Sequence, residues 1–159
     1  VEVVTVLEHP AADKAPFGQA VRARSEAGGG WLGWVVEVPD LAPFEQKLGR
    51  PSVPGGRIFP DGRRLDWHQI GVKGLIADPQ LPFMIHFDSA DEMHPSQARI
   101  TDVRLTGMDI AGSPERVTDW LGGPVEDVLR SVDVTWSAPH GTPGLMAVTF
   151  GTPDGPVTI

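Results

Sequence analysis

Between Gly55 and Asp88 apolar and polar side chains alternate in short runs separated by turn residues. The run ending at Phe59 meets Pro60-Asp61-Gly62, where Pro presets φ at the second turn position and Gly accepts φ > 0. The runs Arg64 to Ile70 and Leu81 to Asp88 follow, so the pattern predicts a strand, a tight turn and two more strands. Upstream, Trp31 to Val38 reads as a strand closed by Pro39-Asp40. Ala42 to Leu48 reads as a short helix, with Phe44 and Leu48 at i,i+4 on its buried side and Gly49 as its C′ residue. The order is β-α-β-β-β.

The remainder is punctuated in the same way. Val1 to Leu7 is a β-branched run and predicts a strand, broken by His9-Pro10. A strand with no turn before it suggests that further sequence stood upstream. Phe17, Ala20 and Val21 fall at helical spacing in a segment from about Ala15 to Arg24, which Gly28-Gly29-Gly30 ends. After the connector at His94-Pro95, Ile100 to Leu105 begins another strand. Ser113, Pro114 and Glu115 form a helix start, Val117, Trp120 and Leu121 its apolar stripe, and Gly122-Gly123 its stop. Pro124 can start a second helix through Val125, Val128 and Leu129. Strands are expected at Val132–Ser137, Leu145–Phe150 and Pro156–Ile159, the last two joined by a Pro-Asp-Gly turn at residues 153–155. The fold class is therefore α+β, built of βαβββ modules whose mixed or antiparallel curved sheets are packed by short helices. Residues 1–30 read as the last strand and linking helix of a truncated first module, 31–95 as a complete module, and 96–159 as a less typical one.

Composition narrows the function classes. With no cysteine there is no disulfide, thiolate nucleophile or cysteine-held zinc. The net charge of −8, with cations scattered rather than clustered, argues against a nucleic-acid partner. No apolar run approaches the ~20 residues of a membrane helix, and no secretory signal pattern is present, so a cytoplasmic protein is expected. No Gly-rich loop lies between a strand and a helix, and no Gly-x-Ser-x-Gly elbow occurs.

The residues that can carry chemistry lie on the strand pair. If the connection is centred near Ala77, His68 stands opposite His86 and Asp66 opposite Asp88, all four on one sheet face. Leu65, Trp67, Phe83, Ile85 and Phe87 then form the other face, expected to be the core face. Two imidazoles beside two carboxylates can bind a divalent cation or pass a proton near neutral pH. The same pattern also fits a solvated sheet face or a buried hydrogen-bonded pair. Of the five tryptophans, Trp67 and Trp120 read as core fillers, and Trp34 as a residue that can face a cleft.

The set VEVV, PFGQAVRA, GWVVEVPDL, GGRIFPDGRRLDW, LPFMIHF and the following His-Pro resembles the glyoxalase-like branch of the vicinal oxygen chelate superfamily over roughly the first 95 residues. The resemblance implies paired βαβββ modules around a cleft that often holds a divalent metal (Fe, Mn, Ni or Zn). It places Glu2 and His86 at ligand positions and His68 as a further ligand or general base; Trp34 and Asp66 are the candidate substrate-binding residues. It also shows a departure: where the first strand of a module usually offers a His, this chain has Gly33 and Trp34, which cannot ligate. Two readings follow. One is a glyoxalase-like protein that binds a small metabolite in a sheet-lined cleft, with metal-assisted lyase, isomerase or dioxygenase chemistry. The other is a non-catalytic binding or sequestering module that has lost the metal. A homodimer in which a second subunit completes the truncated module is a third expectation.

Overall fold

The computed structural model describes residues 1–98 and 101–159. The chain divides into two compact units, and each holds one four-stranded sheet. One unit comprises Val35–Val72 and Phe83–Thr101; the other comprises Val1–Trp34, Lys73–Pro82 and Asp102–Ile159.

The first of these units has a βαβββ order. The helices α1 (Pro10–Lys14) and α2 (Pro16–Glu26) precede it in the chain; it then runs β1 (Val35–Glu37), α3 (Ala42–Leu48), β2 (Val53–Ile58), β3 (Arg64–Ile70) and β4 (Phe83–Phe87). The strand order is β1-β4-β3-β2, with β1 parallel to β4 and the other pairs antiparallel. The Pro-Asp-Gly turn is formed as the sequence predicts. Gly62 takes φ of 84° and donates its N–H to Phe59 O, while the Phe59 N–H bonds to Arg63 O. Helix α3 spans the predicted residues and ends on Gly49 in the left-handed region at φ of 60°.

The register confirms the pairing expected from the alternation: His68 is opposite His86, and the Asp88 N–H bonds to Asp66 O at 3.0 Å. The face assignment is corrected. Val36, Ile70 and Met84, each 4% exposed or less, share the histidine face, with Met84 paired to both of the others. On the face expected to be core, Leu65 is buried, but Trp67, Phe83, Ile85 and Phe87 are half-buried and Val35 is 46% exposed. The histidine face is thus apolar and closed at the Met84 end and polar at the Asp66–Asp88 end. Beyond β4, single 3₁₀ turns at Asp91–Met93 and Pro95–Ala98 carry the chain onward.

The second unit contains α1, α2, α4 (Gly74–Ala77), β5 (Arg104–Ala111), α5 (Pro114–Leu121), α6 (Val125–Val128), β6 (Asp133–Ser137), β7 (Gly144–Thr152) and β8 (Gly155–Thr158). Its sheet runs β6-β5-β7-β8, with β5 and β6 parallel. The parallel partner of the first strand is here the second, whereas in the other sheet it is the fourth. The core holds Met108, Ile110, Val117, Val125 and Val148. Ser113 caps α5 by accepting from the Arg116 N–H, and Gly122 ends it at φ of 80°.

Several expected boundaries moved. Val1 to Leu7 forms no strand; pairing partners, not β-propensity alone, make a strand, and among the described residues none lies beside it. Of Trp31–Val38, only Val35–Glu37 pairs. His9-Pro10 ends the run by starting a helix: the His9 imidazole accepts from the Ala11 N–H and Pro10 fills the first helical position of α1. The strand expected from Ile100 begins at Arg104, and Ile100 itself lies outside the described residues. No helix among the described residues is long and apolar enough to cross a membrane.

Candidate functional site

The polar end of the histidine face opens into a pocket of about 440 Å³ lined by Pro54, Gly56, Arg64, Asp66, His68 and Asp88, with Gly55 and Trp67 completing its edge. The antiparallel register explains why these residues meet. Pro54 is opposite His68 and Gly56 opposite Asp66, so alternation aims all of them to one side of β2 and β3. Glycine makes the floor: a Cβ on Gly56 would stand 2.8 Å from Asp66 Oδ1 and 3.5 Å from Arg64 Nη2.

His68 is oriented by a cross-strand diagonal contact. Its Nδ1 lies 2.8 Å from Asp88 Oδ2. A carboxylate only accepts, so Nδ1 carries the proton and, in the neutral ring, Nε2 carries the lone pair. Both side chains retain substantial solvent access, 44% for His68 and 39% for Asp88, so the pair orients the ring more than it stabilises the fold. Asp66 accepts from Arg64 Nε on both oxygens, at 2.7 and 2.8 Å, and the Asp66 N–H donates to Ser89 Oγ.

Glu45 of α3 lies outside the pocket's lining, where it is bound by Ser52. Its carboxyl is held below the ordinary glutamate range, first by the Ser52 hydroxyl and Ser52 N–H, and further by the positive charge that His68 can carry. Ser52 Oγ and N stand 2.6 and 2.7 Å from Glu45 Oε1.

His86, the cross-strand partner of His68, is turned elsewhere. Its Nδ1 donates to Val38 O at 3.0 Å, which ties the end of β4 to the residue after β1. On the opposite face of the sheet, His94 donates from Nε2 to Glu37 and packs edge-on against Phe87, with ring centroids 4.9 Å apart. Trp67 in turn meets Phe87 edge-on at 6.5 Å and lies over Gly55.

Of the five residues singled out in the sequence, His68 and Asp66 share the pocket. His86 is adjacent in register but engaged with Val38, and Glu2 is exposed in the segment before α1. Trp34 is 7% exposed and spends its indole N–H on Gln80 O, which makes it a packing residue within its own unit. Among the described residues no group of three or more His, Asp or Glu is placed to hold a metal ion. The donor set therefore does not fit the divalent metal that the resemblance implies, since catalytic metal sites use about three protein ligands.

Arg64, Gly56 and Glu45 were not anticipated. Arg64 was legible, standing two residues before Asp66 on the same strand face. Glu45 was not, because its placement depends on where α3 rests.

Comparison with known proteins gives one match. Residues 1–125 fit the family model described as a glyoxalase-like domain. No curated protein and no solved structure matches the chain.

Proposed function

The chain belongs to the glyoxalase-like domain family of the vicinal oxygen chelate superfamily, and we propose that it binds a small oxygenated metabolite in the pocket of β2 and β3, with His68 moving a proton. The observation that carries this reading is the His68 Nδ1–Asp88 Oδ2 contact of 2.8 Å inside that pocket. A carboxylate on Nδ1 fixes the tautomer in which Nε2 is a base, and it stabilises the imidazolium formed when the ring takes a proton. A positioned base of this kind contributes about 10²- to 10⁴-fold to a proton transfer. Asp66 and Arg64 give the pocket polar groups that can orient a carbonyl or hydroxyl oxygen.

The test is exchange of carbon-bound protons for deuterium in a panel of carbonyl metabolites. The reading predicts catalysed exchange by the natural chain and its loss in His68→Gln. Exchange that is equal in both proteins defeats it.

A non-catalytic binding module is the second reading. It is favoured by Gly33 and Trp34, where the family's usual His is missing and Trp34 is buried. Saturable binding without any exchange would favour it.

A further inference from the structure

Arg64 bears on what the pocket accepts. A guanidinium has five N–H donors. Nε supplies the only one engaged here, to Asp66, and the Nη groups make no hydrogen bond or ion pair among the described residues. Nη2 stands 3.5 Å from the point a Cβ on Gly56 would occupy, so the unengaged end of the fork lies over the side-chain-free floor. Asp66 thus holds the guanidinium by one edge and leaves the geometry that grips a carboxylate through two parallel N–H bonds.

Charge selects among anions. Asp66 already offsets Arg64, and Asp88 stands against His68, so the pocket suits a monoanion better than a phosphate dianion. Length selects further. His68 lies four residues beyond Arg64 on the same face, about 13 Å of strand, and Asp66, which holds the guanidinium, lies midway between them. Two residues of strand, about 7 Å, separate Asp66 from His68, the reach of a short-chain acid.

We propose that the pocket takes a small carboxylate-bearing metabolite, its carboxylate on the Nη groups of Arg64 and its reacting C–H toward His68. This rests on the reading of His68 as a base given above. In the step, Nε2 takes a proton from the carbon beside a carbonyl, and the C–H electron pair passes into the carbonyl as an enolate. The imidazolium exchanges that proton with the solvent and returns a deuteron to the same carbon, so nothing is oxidised or reduced and the net change in heavy water is H for D.

Pyruvate serves as the probe, titrated at constant ionic strength against the natural chain, Arg64→Gln, Arg64→Lys and His68→Gln. Binding is followed by NMR shifts and exchange by loss of the methyl proton signal. The expected result is saturable millimolar binding, weakened about tenfold or more in Arg64→Gln and only partly restored by Lys, which lacks the planar fork. His68→Gln should still bind pyruvate but not exchange it.

Binding unchanged in Arg64→Gln, or no saturable binding by the natural chain, overturns the carboxylate proposal. Inorganic phosphate bound more tightly than pyruvate through Arg64 also overturns it. Arg64-dependent binding with no His68-dependent exchange supports the carboxylate site while removing the base. His68-dependent exchange that ignores Arg64 does the reverse.

Discussion

Substituting Gly55 by Ala tests the register on which the pocket is built. Gly55 is opposite Trp67, and a Cβ there would lie 2.4 Å from both Cε2 and Nε1 of the indole and 2.8 Å from Cζ2. The ring must move. It is held by its edge contact with Phe87 at 6.5 Å and by the Nε1–H bond to Gln69 Oε1 at 3.3 Å. An aromatic pair contributes about 0.5–1.5 kcal/mol and a hydrogen bond about 1 kcal/mol. Restricting the unfolded chain by Gly→Ala returns about 0.4–1 kcal/mol. The net expectation is a loss of about 1 kcal/mol, or roughly 2–4 °C in Tm for a chain of this size. Urea unfolding of Gly55→Ala, Trp67→Leu and the double variant measures it, and the cycle should show a coupling of about 1 kcal/mol because Leu leaves room for the methyl. If Gly55→Ala instead stabilises the chain by the unfolded-state gain alone, Trp67 does not lie over Gly55 and the register is wrong.

Other outcomes follow from the same packing. Met84 is 0% exposed between Val36 and Ile70, so Met84→Ala should cost about 2–5 kcal/mol in chemical denaturation. Ser113→Ala removes the cap of α5 and should cost about 1 kcal/mol in the same assay. Glu45 has a folded-state carboxyl below its ordinary value of 4.5, bound chiefly by Ser52. Its stabilisation is therefore complete above that value and lost as pH falls through the lower, folded one. Tm followed downward from pH ~6 should decline less steeply in Glu45→Gln than in the natural chain. Asp61 and Glu115 are lowered in the same sense, by Arg63 and by Ser113, so some acid decline should persist in that variant.

Much of the βαβββ unit was legible because its signals are local. Pro60-Asp61-Gly62 sets a turn, Gly49 a helix end, and period-two alternation a register that put His68 beside His86. What alternation cannot show is which face a helix will cover. Met84 shares its strand face with His86 and Asp88, yet it is the most enclosed residue of the sheet because the closed end of the histidine face lies there. Val1–Leu7 misled for a related reason: β-branched residues favour a pleated surface but do not supply one. The site was half legible. Asp66, His68 and Asp88 follow from strand parity, whereas Glu45 depends on how α3 is set down, and the orientation of His86 toward Val38 depends on a carbonyl that no side-chain pattern reveals.

The tautomer of His68 is the most direct test of the account, and it needs no substrate. Ring ¹⁵N NMR, assigned through His68→Gln, should find the neutral imidazole protonated at Nδ1 in the natural chain. In Asp88→Ala it should shift toward the Nε2–H form that free imidazole rings favour, with Tm changed little because the pair is solvent-exposed. A natural chain in which His68 is already protonated at Nε2 would contradict the Asp88 contact, and with it the base on which the proposed function rests.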